Sequence, residues 1–280
     1  MMEKMTSAEL FGGRVREFKK KNRPVVTNCF FVPSEVEDMV RQEKLYVEET
    51  EGALCIQVRE TYYSRLYYYM RADAELPALS DWKQPVILDT VFRGDETAAL
   101  EKCGVSRWCA HGFAPYKRYR RMECAKEDFC PPADQTEKLA AYPIVPLAPE
   151  DYPAVAALWE SSLDIYSTLL PGAAEFAGYC EKKQVIGMRL PDGTAGAVIM
   201  ALPKGKTGFM QHLVVSSGFR GLGMGRTLFC GATEYLLTEG GASKVNFWVD
   251  EENKHAIAIY QKMGYIYDGI ISRQFLLREK

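Results

Sequence analysis

A glycine-rich stretch in the second half of the chain has the residue types needed to hold an anion. Residues 220–226 read RGLGMGR, so three glycines occupy alternate positions between two arginines. The apolar run Leu213–Val215 before it predicts a buried strand, and the apolar spacing within 226–237 predicts a helix after it. In such an arrangement, glycines let the backbone approach a ligand, and the first N–H groups of the helix lack intrahelical partners. The stretch therefore predicts an anion-binding turn.

Two familiar nucleotide-binding patterns do not fit this turn. A P-loop requires Lys followed by Ser or Thr after its last glycine, whereas Arg226 and Thr227 stand here without the preceding spacing. A dinucleotide fingerprint requires G-x-G-x-x-G, whereas the glycines at 221–225 follow the pattern G-x-G-x-G. For this stretch taken alone, a plain structural corner is the alternative interpretation.

A second stretch with a similar organisation follows. Residues 244–264 read KVNFWVDEENKHAIAIYQKMG. The β-branched and aromatic residues of Val245–Val249 predict a strand. The acidic and amide residues at 250–253 are suited to cap a helix that starts there, and Gly264 is suited to end it. This stretch therefore predicts a second strand followed by a helix.

Together the two stretches resemble the GNAT superfamily of acyl-CoA-dependent N-acyltransferases. The glycine turn is similar to the R-x-x-G-x-G pyrophosphate loop of that family. The second stretch fills every position of the family pattern V-x-x-x-N-x-x-A-x-x-x-Y-x-x-x-G-[FY], with Val249, Asn253, Ala256, Tyr260, Gly264 and Tyr265. The two stretches stand in the family's order, and the resemblance extends over Tyr142–Glu279.

The resemblance implies roles for particular residues. Acyl-CoA would lie in a cleft where two parallel strands splay apart. The backbone of Leu213, Val214 and Val215 would pair with the pantetheine arm, and one N–H there would face the thioester carbonyl. Asn253 would contact the CoA arm, and Tyr260 would protonate the departing thiolate. The backbone of the turn would hold the pyrophosphate through Arg220, Gly221, Leu222, Gly223, Met224, Gly225 and Arg226.

The sequence does not identify the general base. Strand alternation predicts that Phe209 and Gln211 share the face of Leu213. His212 is predicted to point to the opposite face, unless a β-bulge redirects it, and a histidine here is more often a packing residue. Gln211 can orient a water molecule but cannot accept a proton. The acidic residues 250–251 are alternatives, as is an amine that arrives already deprotonated.

Composition narrows the class of protein. The 280 residues carry a net charge of −2, which gives no indication of a polyanionic partner. The longest apolar run, 195–202, is too short to span a bilayer, and no secretory signal is predicted. Eight scattered cysteines without a C-x-x-C pair indicate reduced thiols and a cytoplasmic protein. The Cys and His spacings within 103–130 are wider than those of zinc sites, so no metal is expected.

The predicted order of strands and helices occurs twice. The first half has helices at 6–22, 34–41 and 96–103, and strands at 23–31, 45–49, 53–59, 66–71, 85–92 and around 105–114. The second half has strands at 185–190, 195–202 and 208–215, followed by helix, strand, helix and strand. We therefore predict an α+β protein of two tandem GNAT-like domains, each a mostly antiparallel mixed sheet flanked by helices, with a splayed parallel strand pair in the C-terminal one. The predicted domains are 1–138 and 139–280, with a linker near Pro131–Tyr142.

The first predicted domain lacks the features of a CoA site. After Arg71 the sequence reads ADAELPALSDW, without a glycine turn, and Leu100 stands where Tyr260 stands in the second domain. We predict a degenerate copy that is structural or supplies one wall of the acceptor pocket. The run YKRYRR at 116–121 mixes bases with aromatics, as single-strand nucleic-acid surfaces do, but a charged edge strand is the favoured interpretation. Attraction of an acidic acceptor or a CoA phosphate by this run remains open.

Two classes of function remain. The first is an N-acetyltransferase that moves an acetyl group from acetyl-CoA, or another acyl group from its CoA ester, to a primary amine of a small molecule, amino acid or peptide. The second is a non-catalytic acyl-CoA-binding or regulatory module. Asn253 and Tyr260 favour the first class, whereas the lack of an obvious base favours the second. Neither a nucleic acid nor a membrane is expected as partner, and the chain is expected to be a monomer or a homodimer.

Overall fold

The chain forms two compact units. The computed structural model describes residues 2–83, 85–131, 139 and 141–278. The first unit consists of Met1–Arg118 and Ile270–Lys280, and the second of Tyr119–Gly269. This division differs from the predicted boundary between residues 138 and 139, because each unit includes a strand segment assigned by sequence to the other. The linker predicted at Pro131–Tyr142 lies for the most part outside the described residues.

Capping residues set the bounds of several helices. Ser7 accepts the N–H of Leu10 and Asp95 accepts the N–H of Ala98, each at the start of a helix. Gly104, with a φ of 72°, ends one helix and precedes the next. In the described part of the chain the helices are α1 (Ala8–Lys21), α2 (Pro33–Arg41), α3 (Glu96–Cys103), α4 (Val105–Ala110), α5 (Tyr152–Ser162), α6 (Ala173–Glu181), α7 (Met224–Leu237) and α8 (Lys254–Lys262).

The strands follow the apolar runs that the sequence shows. They are β1 (Met2–Lys4), β2 (Val26–Thr27), β3 (Leu45–Glu49), β4 (Ala53–Arg59), β5 (Ser64–Met70), β6 (Val86–Arg93), β7 (Ala114–Ala125), β8 (Ile144–Pro146), β9 (Val185–Arg189), β10 (Ala195–Lys204), β11 (Thr207–Val215), β12 (Lys244–Asp250) and β13 (Ile266–Leu277). From Tyr119 onward β7 belongs to the second unit, and from Ile270 onward β13 belongs to the first.

The sheet of the first unit is mixed. Its strand order is β1-β3-β4-β5-β6-β13, and β2 pairs with β5 outside this order. Neighbours are antiparallel except β5 and β6, which are parallel where Ser64–Leu66 faces Val86–Leu88. Beyond these residues the two strands continue without pairing to each other. A splayed parallel pair is thus present in this unit too, although the sequence predicted one only in the C-terminal half.

The sheet of the second unit has the order β7-β12-β11-β10-β9-β8. Its neighbours are antiparallel except β11 and β12, which are parallel where Thr207–Phe209 faces Lys244–Asn246. Both strands continue past this point, to Val215 and Asp250, so they splay apart as predicted. Helices α7 and α8 pack on one face of this sheet, and α5 and α6 pack on the other.

Two predicted strands of the first half are corrected. The strand predicted at 23–31 is reduced to Val26–Thr27. Residues 105–114 were expected to be extended, but Val105–Ala110 is α4, and the strand β7 begins only at Ala114. Val105 and Trp108, three residues apart, are both buried on the same helical face. The indole of Trp108 lies 5.3 Å from the ring of Tyr68. Burial of this large side chain outweighs the local strand propensity of the segment.

In the part of the chain that the structure describes, no helix has both the length and the hydropathy of a bilayer-crossing segment. All eight cysteines are free thiols. Within the same ranges, no group of three or more His, Cys, Asp and Glu side chains is placed to hold a metal ion.

Candidate active site

A bulge in β11 decides which of its side chains face the splay. Val214 pairs with Val198 of β10, whereas Gln211 pairs with Met200, so β11 has one residue more than its partner here. His212 lies at this bulge and has a φ of 54°, a conformation that few residues other than glycine adopt. The extra residue reverses the alternation of faces along the strand.

The bulge corrects the sequence-based assignment of faces. Phe209 and Val214 pack on the face that holds α5 and α6. Leu213 packs on the face that holds α7 and α8. The bulge lies between Gln211 and Leu213. Phe209 and Gln211 therefore do not share the face of Leu213. His212 does lie opposite Leu213.

His212 is a packed and hydrogen-bonded residue. Its ring centroid lies 5.4 Å from that of Trp159, and the indole N–H of Trp159 donates to the His212 carbonyl over 3.3 Å. The imidazole is hydrogen-bonded to the backbone of Leu169. Burial lowers the pKa of His212 to about 4, so the imidazole is neutral at pH 7 and is a weak base.

The glycine turn has the backbone geometry of a ligand cradle. Gly221 and Gly223 have φ values of 82° and 92°, which strain any other residue, and α7 starts immediately after Gly223. A side chain at Gly225 would meet Cγ2 of Val215 at 3.1 Å. Among the described residues, no backbone carbonyl accepts the N–H groups of residues 224–226. These three donors are therefore available to an anion.

A cavity of about 750 Å³ joins the glycine turn to α8 in the second unit. Its lining includes many of the predicted site residues: Leu213, Val215, Arg220, Gly221, Leu222, Gly223, Met224, Gly225, Arg226 and Tyr260. It also includes residues to which the sequence assigned no role in the site: Leu139, Tyr142, Phe219, His255, Ile259 and the motif residue Ala256. Helical periodicity around Tyr260 points to His255, Ala256 and Ile259, whereas nothing local points to Leu139 or Tyr142.

Two predicted site residues are placed differently from the rest. The side chain of Val214 is buried in the core on the opposite face, and Val214 is not among the residues that line the cavity. Asn253 is exposed, and its Oδ1 accepts the N–H of Ala256 over 3.2 Å as the cap of α8. Arg220, in contrast, does line the cavity, but its side chain folds back on its own turn, because its Nε donates to the carbonyl of Val215 over 3.1 Å.

Tyr260 is held by aromatic contacts on one side of the cavity. Its ring stacks on Phe229 at 4.4 Å and meets Phe247 edge to face at 4.7 Å. Burial raises the pKa of Tyr260 to about 12, and none of the described residues hydrogen-bonds its hydroxyl group. The phenol is therefore protonated at neutral pH and has a proton to donate.

In the first unit, the chain itself fills the gap between the splayed strands. Asn28, next to β2, donates through Nδ2 to the carbonyls of Leu66 on β5 and Asp89 on β6, over 3.0 and 3.1 Å. Its Oδ1 accepts the N–H of Tyr68 over 3.0 Å. The strand edge that the splay exposes is thus paired internally. Leu100, the counterpart of Tyr260 in the sequence, packs against the apolar core of this unit.

The basic run at 116–121 is engaged within the protein. Arg118 pairs with Glu96 in the first unit over 2.9 Å. In the second unit Arg121 pairs with Asp268 over 2.6 Å, and Arg120 lies over the ring of Tyr267 at 3.7 Å. Carboxylates of the chain thus neutralise much of this charge.

Comparison with known proteins gives one family. Residues 144–265 match the family described as Acetyltransferase (GNAT) family. A comparison with curated proteins gave no match.

Several solved structures share the fold at low sequence identity. One is a GCN5-related glucosamine N-acetyltransferase region of a fungal multi-domain GH3 beta-N-acetylglucosaminidase, with a TM-score of 0.65 and 11% identity over 99% of this chain. The match spans only 38% of that longer chain. A tandem GNAT protein from the clavulanic acid biosynthesis pathway has a TM-score of 0.58 and 12% identity over 99% of this chain and 98% of its own. A GCN5-related N-acetyltransferase from Sphaerobacter thermophilus has a TM-score of 0.57 and 14% identity over 100% of this chain and 96% of its own.

Proposed function

We propose that the second unit transfers an acetyl group from acetyl-CoA to a primary amine, because residues 144–265 match the Acetyltransferase (GNAT) family. The acceptor would be a small molecule, an amino acid or a peptide terminus. The observation that carries the proposal is the cavity that places the glycine turn and Tyr260 around one space.

The residues that line this cavity fit the groups of acetyl-CoA. The free N–H groups at the start of α7 would bind the pyrophosphate, because they combine unpaired donors with the positive end of the helix dipole. The backbone of β11 beyond Phe209 does not pair with β12, so it would accept the pantetheine amides as an added strand. The absence of a side chain at Gly225 leaves room for this arm beside Val215.

The chemical step is a direct acyl transfer. Acetyl-CoA supplies an activated thioester. The nitrogen lone pair of the amine attacks the carbonyl carbon, a C–N bond forms, and the C–S bond breaks. Tyr260 gives its phenolic proton to the departing thiolate, and the new amide nitrogen loses a proton to water. Water then returns a proton to Tyr260, so the enzyme ends as it began.

Magnitudes rank these contributions. Holding amine and thioester together supplies about 7–11 kcal/mol of the barrier reduction. A general acid adds a factor of about 10²–10⁴ in rate. Positioning in the cavity is therefore expected to matter more than Tyr260, and a variant without the phenol is expected to keep residual activity.

A calorimetric titration with acetyl-CoA, followed by a thiol-release assay with a panel of amines, tests the proposal. Micromolar binding and amine-dependent thiol release are expected. Binding without release for any amine would favour a non-catalytic acyl-CoA-binding module. No binding would overturn the proposed function altogether.

A further inference from the structure

Asn246 lies at the point where β11 and β12 separate. It is the last residue of β12 that pairs with β11, opposite Phe209. Its side chain is 3% exposed, and its Oδ1 accepts a hydrogen bond from none of the described residues. A buried oxygen without a donor destabilises the fold, and native proteins contain few of them. An unpaired group at this position therefore indicates a ligand.

Asn246 and Tyr260 lie on opposite faces of β12. Val245, Phe247 and Val249 pack in the core with α7 and α8, where Phe247 contacts Tyr260. Strand alternation directs Asn246 to the other face. A nucleophile that approaches along this face would reach the splay from the side that Tyr260 does not occupy.

On this face Asn246 has two aromatic neighbours, Phe209 opposite it on β11 and Trp248 on its own strand. The ammonium group of Lys204 lies over the ring of Phe209 at 5.4 Å. Trp248, two residues along β12 on the same face, is 41% exposed. On β7, the residue opposite Asn246 is Glu123 and the residue opposite Trp248 is Arg121. Both are charged, but Glu123 pairs with Lys244 over 2.8 Å and Arg121 pairs with Asp268 over 2.6 Å. The face therefore offers a neutral hydrogen-bond acceptor beside an exposed indole.

We propose that Asn246 positions the acceptor amine: its Oδ1 accepts an N–H of the attacking nitrogen, while the body of the acceptor lies along Trp248. The inference rests on the proposed acetyl transfer. A neutral carboxamide stabilises the ammonium form less than a carboxylate would, and only the free amine is a nucleophile. The substrate class is an amine on an apolar, preferably aromatic, skeleton, rather than a polycation.

The test compares the wild type with Asn246→Leu and Asn246→Asp, with Gln57→Leu as a matched control for stability. Gln57 is a buried strand amide whose groups are both paired, to Ser64 and Arg59 over 2.9 Å each. Removing paired groups lowers Tm by roughly 2–4 °C in Gln57→Leu, whereas Asn246→Leu is expected to keep or raise Tm. Phenethylamine and spermidine serve as probe acceptors, with acetyl-CoA affinity measured in parallel.

In the wild type, phenethylamine is expected to give the higher kcat/KM. Asn246→Leu is expected to lower that value about tenfold with unchanged acetyl-CoA affinity. Asn246→Asp keeps the oxygen acceptor but adds a charge that stabilises the ammonium ion, so its rate profile is expected to move to higher pH. If Asn246→Leu does not fold, the pH shift of Asn246→Asp alone tests whether Asn246 contacts the acceptor amine.

The possible failures are distinguishable. Undiminished kcat/KM in Asn246→Leu, or an unshifted pH profile in Asn246→Asp, would overturn the role of Asn246 and leave the acetyltransferase assignment intact. Preference for spermidine would overturn the substrate class. A wild type that does not bind acetyl-CoA would overturn the proposed function and this inference with it.

Discussion

The ring of Tyr260 stacks on the ring of Phe229, with centroids 4.4 Å apart. Phe247 contacts the same tyrosine from the side at 4.7 Å. These contacts involve only the aromatic carbons, and the hydroxyl group makes no hydrogen bond to the described residues. The ring carbons of Tyr260 therefore provide its packing, and its hydroxyl group provides the proton for the proposed acid role.

Replacing Tyr260 with Phe separates these two roles. The phenyl ring preserves the stacking, so acetyl-CoA affinity and stability are expected to remain close to those of the wild type. The loss of the proton donor is expected to lower kcat by about 10²–10⁴-fold. Calorimetry and steady-state kinetics measure both quantities. Undiminished kcat in this variant would contradict the acid role of Tyr260.

Gly223→Asp and Gly225→Asp are expected to abolish acetyl-CoA binding. At Gly223 the φ of 92° strains any side chain, and at Gly225 a Cβ meets Val215 at 3.1 Å. Both changes also place a carboxylate where the diphosphate would bind. Gly205→Asp is the control, because Gly205 has a φ of 60° in open space outside the cavity. Binding that survives the first two changes would exclude the turn as the phosphate site.

The chain is expected to bind one acetyl-CoA. Asn28 and β2 fill the splay in the first unit, so no second cofactor can pair with β5 there. Asn28→Ala removes three hydrogen bonds and is expected to destabilise the fold by about 1–3 kcal/mol, without creating a second site. Titration gives the stoichiometry, and urea unfolding gives the stability. A stoichiometry of two in the wild type would refute the internal filling of this gap.

Stability is expected to fall on mild acidification because of His212. Its pKa in the folded state is about 4, below the value of about 6.5 in an unfolded chain, so the unfolded state takes up the proton first. The stability present above pH 6.5 is therefore lost as the pH falls towards 4, by up to about 3 kcal/mol. Below pH 4 this group causes no further loss.

His212→Asn removes the titrating group, and asparagine tolerates a positive φ. The other two histidines are unchanged in this variant. Urea midpoints at pH 7.5, 5.5 and 4.5 are expected to decline less steeply in the variant. Parallel declines in both proteins would show that His212 is not the source of the loss of stability at low pH.

The sequence predicted most elements where a local pattern determines them. Three strands of the first half, at 45–49, 53–59 and 66–71, match β3, β4 and β5 closely. The glycine turn followed by a helix was also predicted from its local pattern, whereas the splay in the second unit was implied by the resemblance to the GNAT family. Apolar periodicity and glycine placement are properties of short windows, so they can be read from one sequence.

Features that depend on a distant partner were not predictable. The bulge at His212 exists because β11 has one residue more than β10 between two pairs, and only the register of both strands reveals it. The gap-filling role of Asn28 depends on carbonyls on β5 and β6. Leu139 and Tyr142 line the cavity although no motif includes them.

The segment Ile270–Leu277 belongs to the first unit, where it pairs with β6 along its whole length and buries Phe275 in the core. A ribosome that has released residues 1–118 has therefore not yet released the strand that completes this sheet. Until residue 277 emerges, β6 lacks its antiparallel neighbour. The first unit is thus the first to be started and the last to be completed during synthesis. While the second unit is being made, the nascent first unit has an open strand edge at β6.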